Sequence, residues 1–315
     1  MTTALIIGLS VVIVAMDGEK PCVLVIRRDK GLSALPFGTF DPGRHRTFEL
    51  ALHGWVREQT GFDLGYVEQL YTFGDRDRET PEATLADAPA NARVVSVGYI
   101  GLTPDQTRLP ERLKASWRGW YAHFPWEDHR GGRPAIIDDT IVPRLQTWAA
   151  GHETRQSRVN LAFGLDGQEW ADSRVLERYE LLYEAGLVTE CARDAGLPLP
   201  DVRLGEPMAS DHRRILATAM GRLRGKIRYR PVIFELMPER FTLSALQSAC
   251  EGILGQRLHK QNFRRALDRT GLVEGTGEMM DRTGGRPAEL YRFCREKLRR
   301  SAALGIATPA IRRDG

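Results

Sequence analysis

The sequence predicts an α/β domain followed by a domain of three helices and a β-hairpin. In residues 1–151 apolar strands alternate with amphipathic helices, whereas from residue 209 onward three helices with regular apolar spacing precede two short strands. The charge changes at the same place. Residues 1–208 hold 23 Lys and Arg against 30 Asp and Glu, and residues 209–300 hold 20 against 10. A basic domain behind an acidic one favours a polyanionic partner for the second half, although a solvated basic surface would have the same charge.

These patterns divide the chain into four segments. We expect an effector-binding domain at 1–151, a helical connector with possible dimer contacts at 152–208, a DNA-binding domain at 209–300 and a tail at 301–315. The four cysteines lie far apart without a CxxC pair, which is typical of reduced thiols in a cytoplasmic protein and argues against a zinc site. The apolar segment 4–16 has no Lys or Arg before it and is too short to cross a bilayer, so we expect a strand and no membrane partner.

The first domain is expected to contain strands at 5–16, 22–27, 67–73 and 94–102, with helices at 47–60 and 141–151. Thr47 is a plausible N-cap of the first helix, and Gly61 is a plausible stop. The aromatic, Gly- and Pro-punctuated stretch 117–134 is expected to be a long loop. In the connector, residues 173–185 have the spacing of an amphipathic helix.

The helix at 47–60 resembles the helix of a Nudix box, the Mg²⁺-binding motif of enzymes that cleave nucleoside diphosphates. The motif order Arg-Glu-x-x-Glu-Glu falls on Gly54, Trp55, Glu58 and Gln59, so one of three carboxylates remains. Because Mg²⁺ requires clustered oxygen ligands, we expect neither a metal site nor catalytic residues. The alternative is an active hydrolase in which Glu58 works with Glu49 or Asp41. As a third reading, Glu58 is a plain surface acid.

A nucleotide effector is expected to bind around this helix. Gly38 and Gly43 allow the backbone to approach a phosphate closely, and Arg76 and Arg78 could hold a diphosphate. For Trp120, as for Tyr121 and Trp126, there are two interpretations: stacking on an adenine, or membership of the core. The alternative for the stretch with Arg76 and Arg78 is a mobile polar loop. The candidate effector-binding residues are Arg27, Phe37, Gly38, Glu58, Asp75, Arg76, Arg78 and Trp120.

The C-terminal pattern indicates a winged helix-turn-helix. Helices are expected at 211–224, 242–254 and 259–270, with a turn at 255–258 and a hairpin whose tip is rich in glycine. Asn and Gln can bond adenine, Arg can bond guanine, and hydroxyls at a helix N-terminus suit phosphate. The alternative is a basic domain that docks a protein. The candidate DNA-binding residues are Thr242, Ser244, Lys260, Gln261, Asn262, Arg264, Arg265, Arg282 and Arg286.

The whole chain resembles the Nudix-related transcriptional regulators of NAD metabolism, the NrtR-type family and its longer NadQ-type members. The resemblance rests on Leu-Pro-Phe-Gly at 35–38, Arg-Glu-Gln-Thr-Gly-Phe at 57–62, Lys-Gln-Asn-Phe-Arg-Arg at 260–265 and Gly-Arg-Pro-Ala-Glu-Leu-Tyr-Arg-Phe at 285–293. It implies a Nudix-like α/β/α sandwich and a C-terminal winged helix-turn-helix. It also implies a homodimer on a palindromic operator of NAD biosynthesis or salvage genes, with ADP-ribose, NAD or ATP as effector and no required cofactor. The chain departs from the family by about two extra residues between 43 and 47 and by its long 152–208 segment.

Overall fold

The computed structural model describes residues 5–28, 31–74, 92–104, 106, 109, 113–280 and 287–300. Its strands are β1 (Leu5–Asp17), β2 (Lys20–Arg27), β3 (Ser33–Ala34), β4 (Phe37–Thr39), β5 (Tyr66–Phe73), β6 (Arg93–Leu102), β7 (Ala115–Gly119), β8 (Val273–Met280) and β9 (Ala288–Phe293). The predicted strands of the first domain are therefore confirmed.

The helices include the three predicted for the C-terminal domain. They are α1 (Phe48–Thr60), α2 (Trp120–His123), α3 (Val142–Ala149), α4 (Glu153–Phe163), α5 (Val175–Glu184), α6 (Thr189–Ala195), α7 (His212–Ile227), α8 (Leu243–Leu254), α9 (Lys260–Thr270) and α10 (Arg295–Arg300). Two short 3₁₀ segments, Pro125–Glu127 and Val232–Leu236, and a π-turn at Ile137–Ile141 complete the backbone. Of the helices in the described ranges, none is long and apolar enough to cross a bilayer.

Seven strands form one mixed sheet in the order β3-β2-β1-β6-β5, with β4 paired to β1 and β7 paired to β2. The long β1 runs parallel to β6 and antiparallel to β2 and β4. Side chains of β1 alternate between two cores because successive residues of a strand face opposite sides. Leu9, Val11 and Ile13 pack against α1, whereas Val12 and Val14 join the larger core on the other face.

Helix α1 forms as the sequence predicts. The Thr47 hydroxyl accepts a hydrogen bond from the Leu50 amide at 3.2 Å, and Gly61 ends the helix in the left-handed conformation with φ +68°. Ala51, Leu52 and Val56 face the sheet and are buried. Between this cap and this stop, Trp55 and Gln59 of the motif-like stretch lie next to β4.

Helix α7 covers the opposite face of the sheet from α1. Ile215 lies against the β6 backbone, so a Cβ placed on Gly98 would be 3.2 Å from its Cγ2. The same helix was expected to open the C-terminal domain, and its apolar side chains are buried, namely Ile215, Leu216, Ala219, Met220 and Leu223. The apolar residues of α7 belong to one cluster that contains residues from both sides of position 209, so the core is continuous across the predicted boundary.

Two other expectations are corrected. The stretch 117–134 is not a long loop, since it contains part of β7, helix α2 and a 3₁₀ turn, and its Trp120, Phe124 and Trp126 are wholly buried. Burial of these large rings determines its structure more than the Gly and Pro spacing does. The 152–208 segment is more than a connector, because Val159, Phe163 and Tyr179 of its helices extend the same core.

A buried charge cluster joins the two halves of the molecule. The Glu127 carboxylate accepts from Arg178 Nε at 2.6 Å and from an Arg224 terminal nitrogen, also at 2.6 Å, and all three side chains are fully buried. Arg224 also donates to the Ile253 carbonyl of α8 at 2.9 Å. Burial alone would raise the pKa of Glu127, but the two guanidinium groups outweigh it and hold that pKa below its usual value.

Backbone contacts fix the same junction. A Cβ on Gly252 would lie 2.3 Å from the Glu19 carbonyl, and one on Gly255 would lie 2.4 Å from the Glu127 carbonyl. The Tyr121 hydroxyl donates to the Gly252 carbonyl at 2.7 Å. Only glycine permits such close approach of two backbones, so the end of α8 is seated directly on the first domain.

Replacing Glu127 by Gln should lower the free energy of unfolding by ~3–5 kcal/mol, because it leaves two buried cations without an anion. Chemical denaturation followed by circular dichroism measures the loss. Asp63→Asn is the matched control, since Asp63 pairs with Arg57 at an exposed site and should change stability by less than about 1 kcal/mol. Equal stability of the two variants would show that the cluster does not hold the halves together.

Candidate nucleic-acid interface and nucleotide site

Helix α9 carries the predicted base-reading residues on one face. Phe263, Ala266 and Leu267 are buried and anchor the helix on α8 and the hairpin. The opposite face presents polar and basic side chains, of which Lys260, Gln261 and Arg265 are exposed and Asn262 and Arg264 are half-buried. Within the described part of the chain, Lys260, Arg264 and Arg265 form no ion pair, so the positive charge of this face is not neutralised.

The turn before α9 is held by two side chains of α8. Glu251 accepts from the Leu258 amide at 3.0 Å, and Gln247 donates to the Leu258 carbonyl at 3.1 Å. Gly255 starts the turn in the left-handed conformation, with φ +68°. Since α8 is itself fixed to the first domain, these bonds set the direction in which α9 points.

Two predicted DNA contacts on α8 differ in outcome. Thr242 is 3% exposed and its hydroxyl caps the helix by accepting from the Ala245 amide at 3.1 Å. The prediction that Thr242 contacts phosphate is therefore wrong, because its polar atom is buried in the cap. Ser244, two residues further on, is exposed and stays a candidate.

The hairpin of β8 and β9 forms the wing. Phe241 and Tyr291 exchange two backbone hydrogen bonds of 3.0 and 2.8 Å, which tie the start of α8 to the hairpin. Across the strands Arg292 pairs with Glu274 at 2.6 Å. The predicted wing-tip contacts Arg282 and Arg286 lie outside the described residues.

The candidates Phe37 and Gly38 of β4 lie against Gln59 and Trp55 of α1, whose polar groups bond the β4 backbone. The Gln59 amide oxygen accepts from the Phe37 amide at 3.0 Å while its nitrogen donates to the Phe37 carbonyl. The Trp55 indole donates to the Thr39 carbonyl at 3.0 Å, and a Cβ on Gly38 would lie 2.2 Å from its ring. These two side chains clamp α1 to the 35–39 segment.

The other effector candidates are distributed around this clamp. Glu58 and Arg27 are exposed, and Phe37 is buried beside His212 and below Arg28, whose guanidinium carbon lies 4.8 Å from the ring centre. Trp120 is fully buried, so the prediction that it stacks on an effector is wrong. Asp75, Arg76 and Arg78 lie outside the described residues. Among the described residues, no group of three or more His, Cys, Asp and Glu is placed to hold a metal.

Sequence reasoning missed His212 as part of this site. Its Nδ1 accepts a hydrogen bond from the Leu35 amide at 3.0 Å, although the two residues are 177 positions apart. Burial, reinforced by the positive charges of Arg28 and Arg193, lowers the pKa of His212 to about 3. The ring is therefore neutral, with its proton on Nε2. The histidine at the start of an apolar helix was the available signal.

The comparisons place both regions among known folds. Residues 233–293 match the family model described as the NrtR DNA-binding winged helix domain. A curated relative from Acinetobacter baylyi, described as an ADPR responsive transcriptional repressor NtrR, is 45% identical over 86 residues, which cover 27% of this chain. The matched part spans about a third of that relative, 34% of its length.

Two solved structures resemble almost the whole chain. Shewanella oneidensis NrtR complexed with a 27mer DNA has a TM-score of 0.55 at 20% identity, covering 92% of this chain and 94% of that one. A MutT/nudix family protein from Enterococcus faecalis has a TM-score of 0.54 at 17% identity, covering 93% and 87%. These likenesses confirm the predicted fold class, a Nudix-like α/β/α sandwich with a C-terminal winged helix-turn-helix.

Acid should destabilise the fold through His212. Because its folded pKa is lowered, the neutral ring adds stability that is fully present above the unfolded pKa near 6.5 and is lost as pH falls toward 3. Between pH 7 and 5 this group should cost about 2 kcal/mol of unfolding free energy. Denaturation curves at several pH values measure the loss. His212→Asn does not titrate and should show a pH dependence that is smaller by this amount; identical curves would contradict the assignment.

Proposed function

We propose that this chain, which carries a winged helix-turn-helix domain of the NrtR family, is a cytoplasmic transcriptional repressor that binds operator DNA as a homodimer. The observation that supports this most directly is the basic and amide face of α9, where Lys260, Gln261 and Arg265 are exposed and the two cations pair with no described residue. This face adjoins a turn fixed by Glu251 and Gln247. Such a helix fits the major groove, where Arg, Asn and Gln can read base edges. The family match at 233–293 supports the same role.

The proposed effector is an adenine nucleotide, with ADP-ribose first among ADP-ribose, NAD and ATP, and the proposed targets are NAD biosynthesis or salvage genes. ADP-ribose is favoured because the Acinetobacter relative is described as ADPR responsive. The candidate site is the 35–39 segment with the outer face of α1. The contacts of a nucleotide are proposed to come from Arg27 and Glu58, which are exposed, and from the 75–78 stretch.

Repression would be controlled by a shift in population. Each winged helix is seated on its own first domain, so a homodimer would have two α9 helices at a spacing set by the first domains and by the seats of α8 on them. A nucleotide that binds one arrangement better favours a spacing that does or does not match half-sites one helical turn, or a multiple, apart. A coupling of ~1–3 kcal/mol would change operator affinity several-fold or more.

We propose further that the Nudix-like domain is not a hydrolase. Gln59 and Trp55 stand where the motif has carboxylates, and both are engaged with the β4 backbone. Glu49 and Glu58 lie nine positions apart on α1, about 13 Å along the helix axis, so Glu49 cannot complete a site with Glu58. Asp41 is committed to its own turn, since it accepts from the Gly43 amide at 2.8 Å. A hard dication is poorly served by one isolated carboxylate.

DNA binding is tested by fluorescence anisotropy on a duplex selected from random sequence. We expect the logarithm of affinity to fall with the logarithm of salt concentration at about 0.9 per phosphate contacted, and Arg264→Ala to cost ~1–3 kcal/mol on the selected duplex. Arg118→Ala removes the same charge from exposed β7 and should leave affinity within about two-fold. A flat salt response would instead favour a protein-docking domain.

Incubation with ADP-ribose and Mg²⁺ should give no turnover above the protein-free reaction, with wild type and Glu58→Gln indistinguishable, because the carboxylate cluster is incomplete. Phosphate-coupled or chromatographic detection of AMP measures this. Calorimetry on the same samples should still detect binding of ADP-ribose. Robust turnover that disappears in Glu58→Gln would establish the rival reading, an active hydrolase with a basic accessory domain.

A further inference from the structure

Residues 208–211, which precede α7, lie beside β3, directly before the 35–39 segment proposed to bind the nucleotide. This segment is called the nucleotide loop below. Met208 forms a parallel bridge with Ser33, and the Ala209 amide donates to the Ser33 carbonyl at 2.8 Å. Further along both chain segments, the Leu35 amide donates to the His212 ring nitrogen. Residues 33–35 and 208–212 therefore form one small hydrogen-bonded unit, although they are remote in sequence.

His212 is a buried acceptor for a buried donor. The side chain is 2% exposed, and its ring lies 5.2 Å from the Phe37 ring at a tilt of 56°. An amide that loses its partner inside a protein retains an uncompensated desolvation cost, so the loop cannot move without His212 unless that cost is incurred. A displacement of the loop that keeps the Leu35–His212 bond must therefore also displace His212, the first residue of α7.

The connection is held in an unusual backbone conformation. Ser210 has φ +46°, in the left-handed region that serine rarely occupies. Arg193 of α6 holds it there by donating to the Met208 carbonyl at 2.8 Å and to the Ser210 carbonyl at 2.7 Å. Conformations of this kind persist where surrounding bonds determine them, and they are frequent at switch segments.

The far end of α7 reaches the winged helix. Its 16 residues span about 24 Å. Arg224 in its last turn donates to the Ile253 carbonyl at the end of α8 and to the Tyr121 hydroxyl at 3.1 Å, and that hydroxyl in turn bonds Gly252. One rigid helix therefore has the proposed nucleotide loop at its first residue and the base of the DNA-binding domain at its last turn.

We propose that His212 is the positioning residue through which occupancy of the 35–39 segment is passed along α7 to the winged helix. The proposal rests on the proposed function and specifies its route. A nucleotide that biases the loop biases the Leu35–His212 bond, and α7 transfers that bias to the seat of α8. The physical basis is a continuous set of bonded elements between two sites, with α7 as the element that both sites displace.

The test is a thermodynamic cycle with ADP-ribose and the selected duplex as probes. The coupling factor is the ratio of operator Kd with and without ADP-ribose, and it equals the ratio of ADP-ribose Kd with and without operator. We expect a wild-type factor in the usual range of about 5–150. His212→Phe fills the site but cannot accept the Leu35 bond, and its factor should fall below about two.

Two further variants separate coupling from general damage. His212→Asn can present an oxygen near the position of Nδ1 and should restore most of the coupling factor. Ile215→Val loosens the same helix where it packs on the sheet and should keep the wild-type factor. Hydrogen exchange should show that ADP-ribose alters protection of α7 and of the end of α8 in wild type and in His212→Asn, but not in His212→Phe.

The outcomes are distinct. A wild-type protein that binds no DNA, or that binds DNA without responding to ADP-ribose, overturns the proposed function and this inference together. A responsive wild type with an unchanged factor in His212→Phe overturns the inference alone, as does a loss that His212→Asn fails to restore. If His212→Phe does not fold, Arg224→Lys tests the other end, because it keeps the charge beside Glu127 but shortens the reach to Ile253. An unchanged factor there also overturns the inference.

Discussion

The arrangement of this molecule depends on one carboxylate. Glu127 lies on a 3₁₀ turn beside the sheet, and its two oxygens are shared between Arg178 of the middle helices and Arg224 of α7. Bulk solvent does not reach this cluster, since all three side chains are fully buried, and the three charges stay paired only if the three elements keep their positions. A buried ion cluster of this kind is a weak source of net stability, but it penalises alternative arrangements strongly. The cluster therefore fixes how the sheet, the middle helices and the winged helix are oriented relative to one another.

Within the described residues, the same constraint joins the first domain and the winged helix through one continuous apolar core. Helix α7 completes the sandwich on the face opposite α1 and supplies Arg224 to the charge cluster, while its neighbour α8 abuts the first domain through Gly252 and Gly255. The segment 152–208 supplies Arg178 and the apolar residues around it. A chain that carried only a winged helix on a flexible tether would need none of these contacts. Any movement of α9 relative to its own sheet therefore has to involve α7 and α8 as well.

The sequence was sufficient to predict the elements in which the periodicity of apolar residues matches their burial in the structure. The apolar faces of α8 and α9, the Thr47 and Thr242 caps and the alternation in β1 are local properties, so their elements were predicted closely. It was insufficient where burial involves polar or aromatic groups. Arg224 occupies the position four residues after buried Met220, which a pattern of apolar residues cannot assign, and Trp120 is core although its loop-like surroundings suggested a binding surface. The Leu35–His212 bond spans 177 residues and has no local signature.

The residues of α1 that resemble the Nudix motif have a structural role in this chain. In an Mg²⁺ site, carboxylates at positions 55 and 59 would repel one another unless a cation lay between them. Here Trp55 and Gln59 replace that repulsion with direct hydrogen bonds to Thr39 and Phe37, so α1 and β4 are joined without an ion. The 35–39 segment is consequently bonded on one side to α1 and on the other to His212. A displacement of this segment therefore has to move or break both attachments.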